Sequence, residues 1–425
     1  MEIPFELINL RDSMEKYVKN GKFTAWSVAT QDVVMSVFNG DEAQPSFLAN
    51  TGSQGFHPSF DIASLTKPLL GVNLAYSTFS EEELNQPLNG FEELNEDLKH
   101  LCQIFKNGQT LKDLLNHKSG LPSWAWLPGL TLQRAKNTNI FQTLIKRWSS
   151  FPLDNKERYS DLGYFLLAQI LKGKLGDKFN ETILDFIQRC HSSIRYIPIQ
   201  PGSLPCDIPS VPFAIRHDSH WQMSQKRYDI LGNIRPVHDL NSDYLSTTKE
   251  FIPSFHSGLR SNILGVVSLI QELNKAFLYK QYYNSNERFF YGLDTPTSPQ
   301  STAGWTREEN TMGHFGYTGT TFWLKPGQSP KFHALLTNRT ATRRDIGIPQ
   351  TKRVCITSCL KSGENKYFVQ NNGKWHEELV TNDGDFLAEF SPSGGLIEVP
   401  ATKWVNNITE PRQVAHKTLF KLCEK

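Results

Sequence analysis

Residues 60–72 read FDIASLTKPLLGV, and they raise a question: why are a serine, Ser64, and a lysine, Lys67, set three residues apart at the opening of an apolar helix? Lysine is almost never fully buried without a partner or a task. A serine followed three residues later by lysine is a weak signal, since average composition yields on the order of two in a chain this long. This chain holds four, at Ser13/Lys16, Ser64/Lys67, Ser246/Lys249 and Ser358/Lys361. Context selects Ser64. It alone follows a loop and opens the run ASLTKPLLGVNLAY, where the spacing stacks Lys67 one turn above it on the same face. Pro68 pins the position, because proline is tolerated in a first helical turn and breaks a helix interior. Free N–H groups and the dipole at a helix N-terminus favour negative charge, so the setting stabilises a Ser64 alkoxide and turns its N–H toward an oxyanion. The same positive end, together with burial, is expected to lower the pKa of Lys67 toward general-base duty. The competing reading is an ordinary helix start with a snorkelling lysine.

Working outward, the chain has 425 residues, 38 % of them hydrophobic, which is more than one core usually grows to fill, so two packed regions are expected. A net charge of +2 without a long basic run argues against nucleic acid or an anionic membrane surface as partner. The six cysteines are scattered, and only Cys355 and Cys359 are close. Without a second pair or nearby histidines they read as buried thiols of a reducing compartment rather than a zinc site. The first residues show no secretory pattern, and no stretch reaches the length of a membrane span, so a cytoplasmic location is expected.

Residues 5–18 have helical apolar spacing, and residues 23–30 and 32–38 form a β-rich pair around a polar turn. Residues 76–200 are mainly helical in pattern, and 262–279 are helical again. GYTGTTFWLKPGQSPKFHALLTNR then reads as two strands joined by a Pro/Gly turn. Strands near both ends with a helical middle predict a discontinuous sheet domain of residues 1–75 and 245–360. They also predict an inserted, mainly helical domain of residues 76–244 and a β-leaning C-terminal extension of residues 361–425. The seam between sheet and helices is where a site is expected.

A serine hydrolase built on Ser64 needs a second proton carrier and a strand-borne oxyanion donor. RYSDLGYFLLAQIL supplies Tyr159 as the carrier and Asp161 as a holder of Lys67, on a loop directly before a helix. Tyr282-Tyr283-Asn284 is a rival that trails a polar helix end. GHFGYTGTTFWLKP places His314, Phe315 and Gly316 at the opening of a strand. There Gly316 permits close backbone approach, the Tyr317 N–H offers the second oxyanion donor, and His314 adds a titratable group. Lys118-Ser119-Gly120 and Lys361-Ser362-Gly363 do not open a comparable strand. His117 and His238-Asp239 invite a triad reading, but read better as loop-bracing hydrogen bonders. Trp124 and Trp126 fit a cleft rim or ordinary packing equally well. No G-x-S-x-G elbow, H-E-x-x-H, phosphate loop or dinucleotide glycine run occurs.

The stretches FDIASLTK, TLKDLLNHKSGLP, RYSDLGYFLLAQIL and GHFGYTGTTFWLKP…LLTNR follow the order and spacing of the serine β-lactamase and penicillin-binding-protein superfamily. Over residues 23–345 the chain resembles most its class C-related branch, which includes esterases and D,D-peptidase-like proteins. VHDLNSDYL (residues 237–245) and SGLRSN resemble that branch too. The resemblance implies an α+β, β-lactamase/transpeptidase-like fold, with an antiparallel sheet flanked by helices and an inserted helical domain. It further implies Ser64 as nucleophile, Lys67 as base, Tyr159 as proton shuttle and His314-Phe315-Gly316 in the place of a Lys-Thr-Gly strand motif. Asp161 stands where many relatives have Asn. His314 and Phe315 replace a charged lysine and a threonine hydroxyl, which shifts the expected substrate toward uncharged esters or amides. Action on a β-lactam or a D-Ala-D-Ala peptide is the alternative within the enzyme class, weakened by the lack of an export signal, and a non-catalytic scaffold is the alternative outside it. No metal or organic cofactor is expected, and the partner is a small molecule.

Overall fold

The computed structural model describes residues 3–39, 57–91, 94–123, 156–197, 254–278, 287–297, 301–306, 309–339, 353–371, 374–378 and 408–424, with positions 144, 153, 199, 348–349 and 396–397 besides. Trp124, Trp126, Ser246/Lys249, Tyr282-Tyr283-Asn284 and the stretch 237–245 with His238-Asp239 lie outside these residues.

Ten strands make one sheet: β1 (Trp26–Thr30), β2 (Val33–Asn39), β3 (Phe289–Phe290), β4 (Leu293–Asp294), β5 (Met312–Phe315), β6 (Thr321–Lys325), β7 (Lys331–Thr337), β8 (Arg353–Cys359), β9 (Asn365–Asn371) and β10 (Lys374–Glu378). Their order is β10-β9-β8-β2-β1-β7-β6-β5-β4-β3, and every neighbouring pair is antiparallel. This is the expected α+β arrangement of an antiparallel sheet with helices.

The period of two along each strand sorts side chains between the two faces. Trp26, Val28, Met35, Val37 and Leu335 join one apolar cluster with Leu7, Leu10, Met14 and Val18 of the helix Phe5–Lys19 and with Ala415 and Leu419 of the helix Thr409–Cys423. Ala29, Val34, Phe38, Ala334 and Leu336 face the opposite way, into the main core with Ile263, Val266, Val267 and Ile270 of the helix Ile263–Phe277. Each apolar side chain fully buried this way contributes about 1.5–3 kcal/mol. A buried ion pair ties the N-terminal helix to the sheet. Arg353 Nε and Nη2 each donate to a Glu15 carboxylate oxygen at 2.9 Å, and Trp26 Nε1 donates to Oε1 at 3.2 Å.

Residues 361–425 supply β9 and β10 to this sheet and also the helix Thr409–Cys423, for which the strand-like texture gave no warning. The helix follows from Ala415, Leu419 and Cys423, which recur every four residues and are all buried.

The segment carrying Ser64 departs from the regular helix expected there. Phe60–Asp61 pairs with Leu259–Ser261, then Ala63–Leu65 forms a 3-10 turn, Lys67–Val72 a π-helical turn and Asn73–Thr78 an α-helix. Pro68 has no N–H, and its ring crowds the carbonyl four residues back, that of Ser64, so a wider turn relieves the clash.

Candidate active site

Ser64 follows a residue in a conformation that L side chains rarely adopt, since Ala63 has φ of +51°. That costs roughly 1–2 kcal/mol and persists only where the surroundings impose it. The restraints are visible. Ala63 N–H donates to Asp61 Oδ1 (2.9 Å), and Thr66 Oγ1 donates to the Ala63 carbonyl (2.7 Å). From the turn between β5 and β6, Thr318 Oγ1 donates to the Asp61 carbonyl (2.7 Å) and Thr320 Oγ1 to the Ile62 carbonyl (3.0 Å). Within residues 60–72 only Ser64 is not buried.

Lys67 is completely buried, and its ammonium is surrounded. Nζ donates to Ser64 Oγ (3.0 Å) and to the His256 carbonyl (2.9 Å), and it pairs with Asp161 Oδ1 at 2.7 Å. It also lies 5.0 Å from the Tyr159 ring centroid. Burial pulls the Lys67 pKa down, but Asp161 and Tyr159 outweigh it and hold the value above the usual lysine range. The expected lowering is therefore reversed: the helix-end effect is overridden by a carboxylate in contact, and Lys67 rests as an ammonium.

Tyr159 interacts through its hydroxyl with Lys67 and Ser64. Burial pushes its pKa up, and the Lys67 charge recovers only part of the shift, so it rests as a neutral phenol. Ser160 caps the helix Asp161–Leu175, accepting from Gly163 N–H at 3.2 Å. The residues around it are held by the SGLP loop and by His117. Asp161 N–H donates to the Ser123 carbonyl (2.9 Å), Ser160 Oγ to the Pro122 carbonyl (2.7 Å), and Ser160 N–H to His117 Nδ1 (3.0 Å). His117 thus braces the loop that presents Tyr159 and Asp161.

His314 is buried on β5, with Nδ1 at 2.9 Å from the Phe315 carbonyl, and its ring lies 6.0 Å from that of Tyr159. A carbonyl only accepts, so Nδ1 carries the proton and Nε2 presents a lone pair. Burial, with the nearby Lys67 charge, pushes the His314 pKa down to about 3. Gly316 lies against the segment that carries Ser64: a Cβ there would stand 2.8 Å from the Ile62 carbonyl oxygen and 1.9 Å from Thr320 Oγ1. Tyr317 continues past it with a partly exposed side chain.

Ser64, Lys67, Tyr159 and Asp161 are therefore brought together, with His314 and Gly316 beside them. The His256 carbonyl and the threonine clamp escaped the sequence reading. A backbone acceptor has no side-chain signature, and threonines in a strand read first as β-formers. Among the described residues no three His, Cys, Asp or Glu side chains are grouped to hold a metal ion, and no described helix is long and apolar enough to cross a membrane.

Residues 58–189 match the Beta-lactamase family model. The matched β-lactamase-type region spans about a third of the chain and holds Ser64, Lys67, Tyr159 and Asp161. A class C beta-lactamase solved in complex with cefoxitin superposes with a TM-score of 0.51 at 14 % identity, covering 78 % of this chain and 93 % of that one. A beta-lactamase from Sulfitobacter sp. EE-36 gives 0.49 at 14 % identity over 79 % and 94 %, and SurE gives 0.47 at 14 % over 86 % and 89 %. No curated protein matches the sequence. The fold is β-lactamase/transpeptidase-like, as the sequence resemblance implied. The family match supports hydrolase-type chemistry without naming a substrate.

Proposed function

We propose that this protein is a serine hydrolase that cleaves an ester or amide through an acyl-Ser64 intermediate. The observation that carries the reading is the buried Lys67 ammonium at 3.0 Å from Ser64 Oγ, with the Tyr159 phenol beside both. Ser64 attacks the carbonyl, and its proton passes to Lys67, coupled to Tyr159. Because the resting ammonium is full, Lys67 takes that proton only in step with releasing one of its own. The N–H groups of Ser64 and Tyr317 receive the oxyanion, each such donor being worth about 3–4 kcal/mol of barrier. Tyr159, a neutral phenol, is the group suited to protonate the leaving atom, and water then frees the acyl group.

His314 carries no charge at neutral pH and Phe315 no hydroxyl, so neither offers a substrate carboxylate an ion pair or a donor. This supports an uncharged ester or amide. One observation favours the second reading, a carboxylate-bearing β-lactam or peptide. Arg339 Nε donates to the Tyr317 carbonyl (2.5 Å), and the Arg412 guanidinium lies 4.8 Å from the Phe315 ring centroid, so two cations flank the end of β5.

Labelling with a fluorophosphonate, followed by intact-protein mass spectrometry, tests the nucleophile. Wild type should gain one adduct, lost in Ser64→Ala; equal labelling of that variant would eliminate the scheme. Turnover of a chromogenic cephalosporin faster than that of p-nitrophenyl esters would reverse the order of the two substrate readings.

A further inference from the structure

We infer that Asp161 is the terminal acceptor of the Ser64 proton, so that acylation runs through a Ser64–Lys67–Asp161 relay. This rests on the reading of Ser64 as nucleophile. A lysine ammonium has three N–H donors and no lone pair. Around Lys67 stand Ser64 Oγ at 3.0 Å, the His256 carbonyl at 2.9 Å and Asp161 Oδ1 at 2.7 Å, with the Tyr159 hydroxyl besides. The ammonium cannot accept from Ser64 until one proton leaves. A backbone carbonyl is no proton sink, and among these partners only the Asp161 carboxylate is.

The neighbouring groups do not compete. Tyr159 is a neutral phenol that must first lose a proton to act as a base. His314 presents a lone pair at Nε2, yet burial and the Lys67 charge keep it from taking up a proton near neutrality. His117 uses its Nδ1 lone pair on the Ser160 N–H, so its Nε2 carries hydrogen. Arg288 is paired with Asp294 at 3.1 Å and is not an acceptor. The Asp161 side chain keeps 22 % exposure, while Oδ1, the oxygen that faces Lys67, is itself buried.

The Ser64 O–H bond breaks as its proton moves to Nζ, while one Nζ–H proton moves to Asp161 Oδ1. The Oγ–carbonyl carbon bond forms, and the carbonyl π pair becomes the oxyanion. On collapse the leaving group takes a proton from Tyr159, which is refilled through Lys67 from Asp161. An asparagine at this place, as many relatives have, could hold Lys67 but not take its proton.

The test uses the full chain with a fluorophosphonate, measuring the second-order labelling rate from mildly acid to mildly alkaline pH. Asp161→Asn should label about a hundredfold more slowly or worse, the usual worth of a proton-transfer group. It should also lose the acid-side fall in rate that the relay leads us to expect of wild type. Asp161→Glu should recover part of the rate with that acid fall restored. A role confined to holding Lys67 would leave Asp161→Asn near wild type, since the amide still accepts from the ammonium. Labelling of Asp161→Asn within about threefold of wild type, with an unchanged pH profile, overturns the relay while leaving Ser64 as nucleophile. Absence of any Ser64 adduct in wild type overturns the hydrolase reading, and the relay with it. Should Asp161→Asn fail to fold, the Asp161→Glu profile decides: an acid limb that does not move rejects the relay.

Discussion

Gly316→Ala is the most informative single change, because its effect can be worked from the contact it disturbs. The new methyl would stand 1.9 Å from Thr320 Oγ1 and 2.8 Å from the Ile62 carbonyl oxygen, against the 3.4 Å at which ordinary contact begins. The hydroxyl can rotate, but doing so gives up the 3.0 Å bond by which Thr320 holds that carbonyl. The carbonyl keeps its second donor, the Leu65 N–H at 3.1 Å, so the loss is that of one hydrogen bond, about 0.5–1.5 kcal/mol. The carbonyl itself can only move with the backbone, by the 0.6 Å that separates 2.8 from 3.4 Å. Ile62 stands two residues before Ser64, so the displacement reaches that hydroxyl. Since a 1 Å misplacement costs on the order of a hundredfold in rate, this one should cost about ten- to a hundredfold. The assay is fluorophosphonate labelling of Ser64 alongside a urea melt. Slowed labelling with modest loss of stability is expected, and the companion Thr320→Val, which removes the same hydroxyl without the methyl clash, should fall between. A Gly316→Ala protein that labels and melts like wild type would refute the close approach of the β5 end to the Ser64 segment.

Two further outcomes concern stability. Glu15→Gln breaks a bidentate pair and leaves the Arg353 guanidinium buried without its counter-charge. The loss should be about 3–5 kcal/mol by urea denaturation, whereas Glu15→Leu combined with Arg353→Met should recover most of it; equal losses in both would show the pair contributes only packing. His57, His314 and His333 are buried, and burial pushes them down to about 3, 3 and 4. A depressed histidine keeps its full stability above its unfolded value near 6.5 and loses it as pH falls toward the folded value. Each should therefore cost on the order of 1 kcal/mol per pH unit below about 6.5. Identical urea midpoints at pH 7 and pH 5 would contradict their burial as neutral rings.

Much of the site was legible because its residues carry local signals. Pro68 marks the first turn of the helical segment that follows Ser64, Ser160 and Asp161 announce a helix start after Tyr159, and the β-branched run after Gly316 marks a strand. Asp161 was legible as a holder of Lys67, but not that this contact, 2.7 Å across 94 positions of chain, together with Tyr159 outweighs burial and the helix end. The π-helical turn was hidden for a related reason. Proline rules out one geometry at its position without naming its replacement, and packing of the apolar residues 69–72 selects the outcome. The placement of β9 and β10 beyond β8 was equally out of reach, because polar-aromatic strands at a sheet edge carry no mark of the neighbour they will join.

The strand β1 pairs on one side with β2, its neighbour in sequence, and on the other with β7, whose residues come some three hundred positions later. β2 in turn waits for β8, from residue 353 onward. During synthesis, then, the first hairpin leaves the ribosome with both flanks bare, and the serine is made long before the platform that aims it. Such a chain matures only after most of it has been produced, so its early portions depend on shielding from self-association until the late strands arrive.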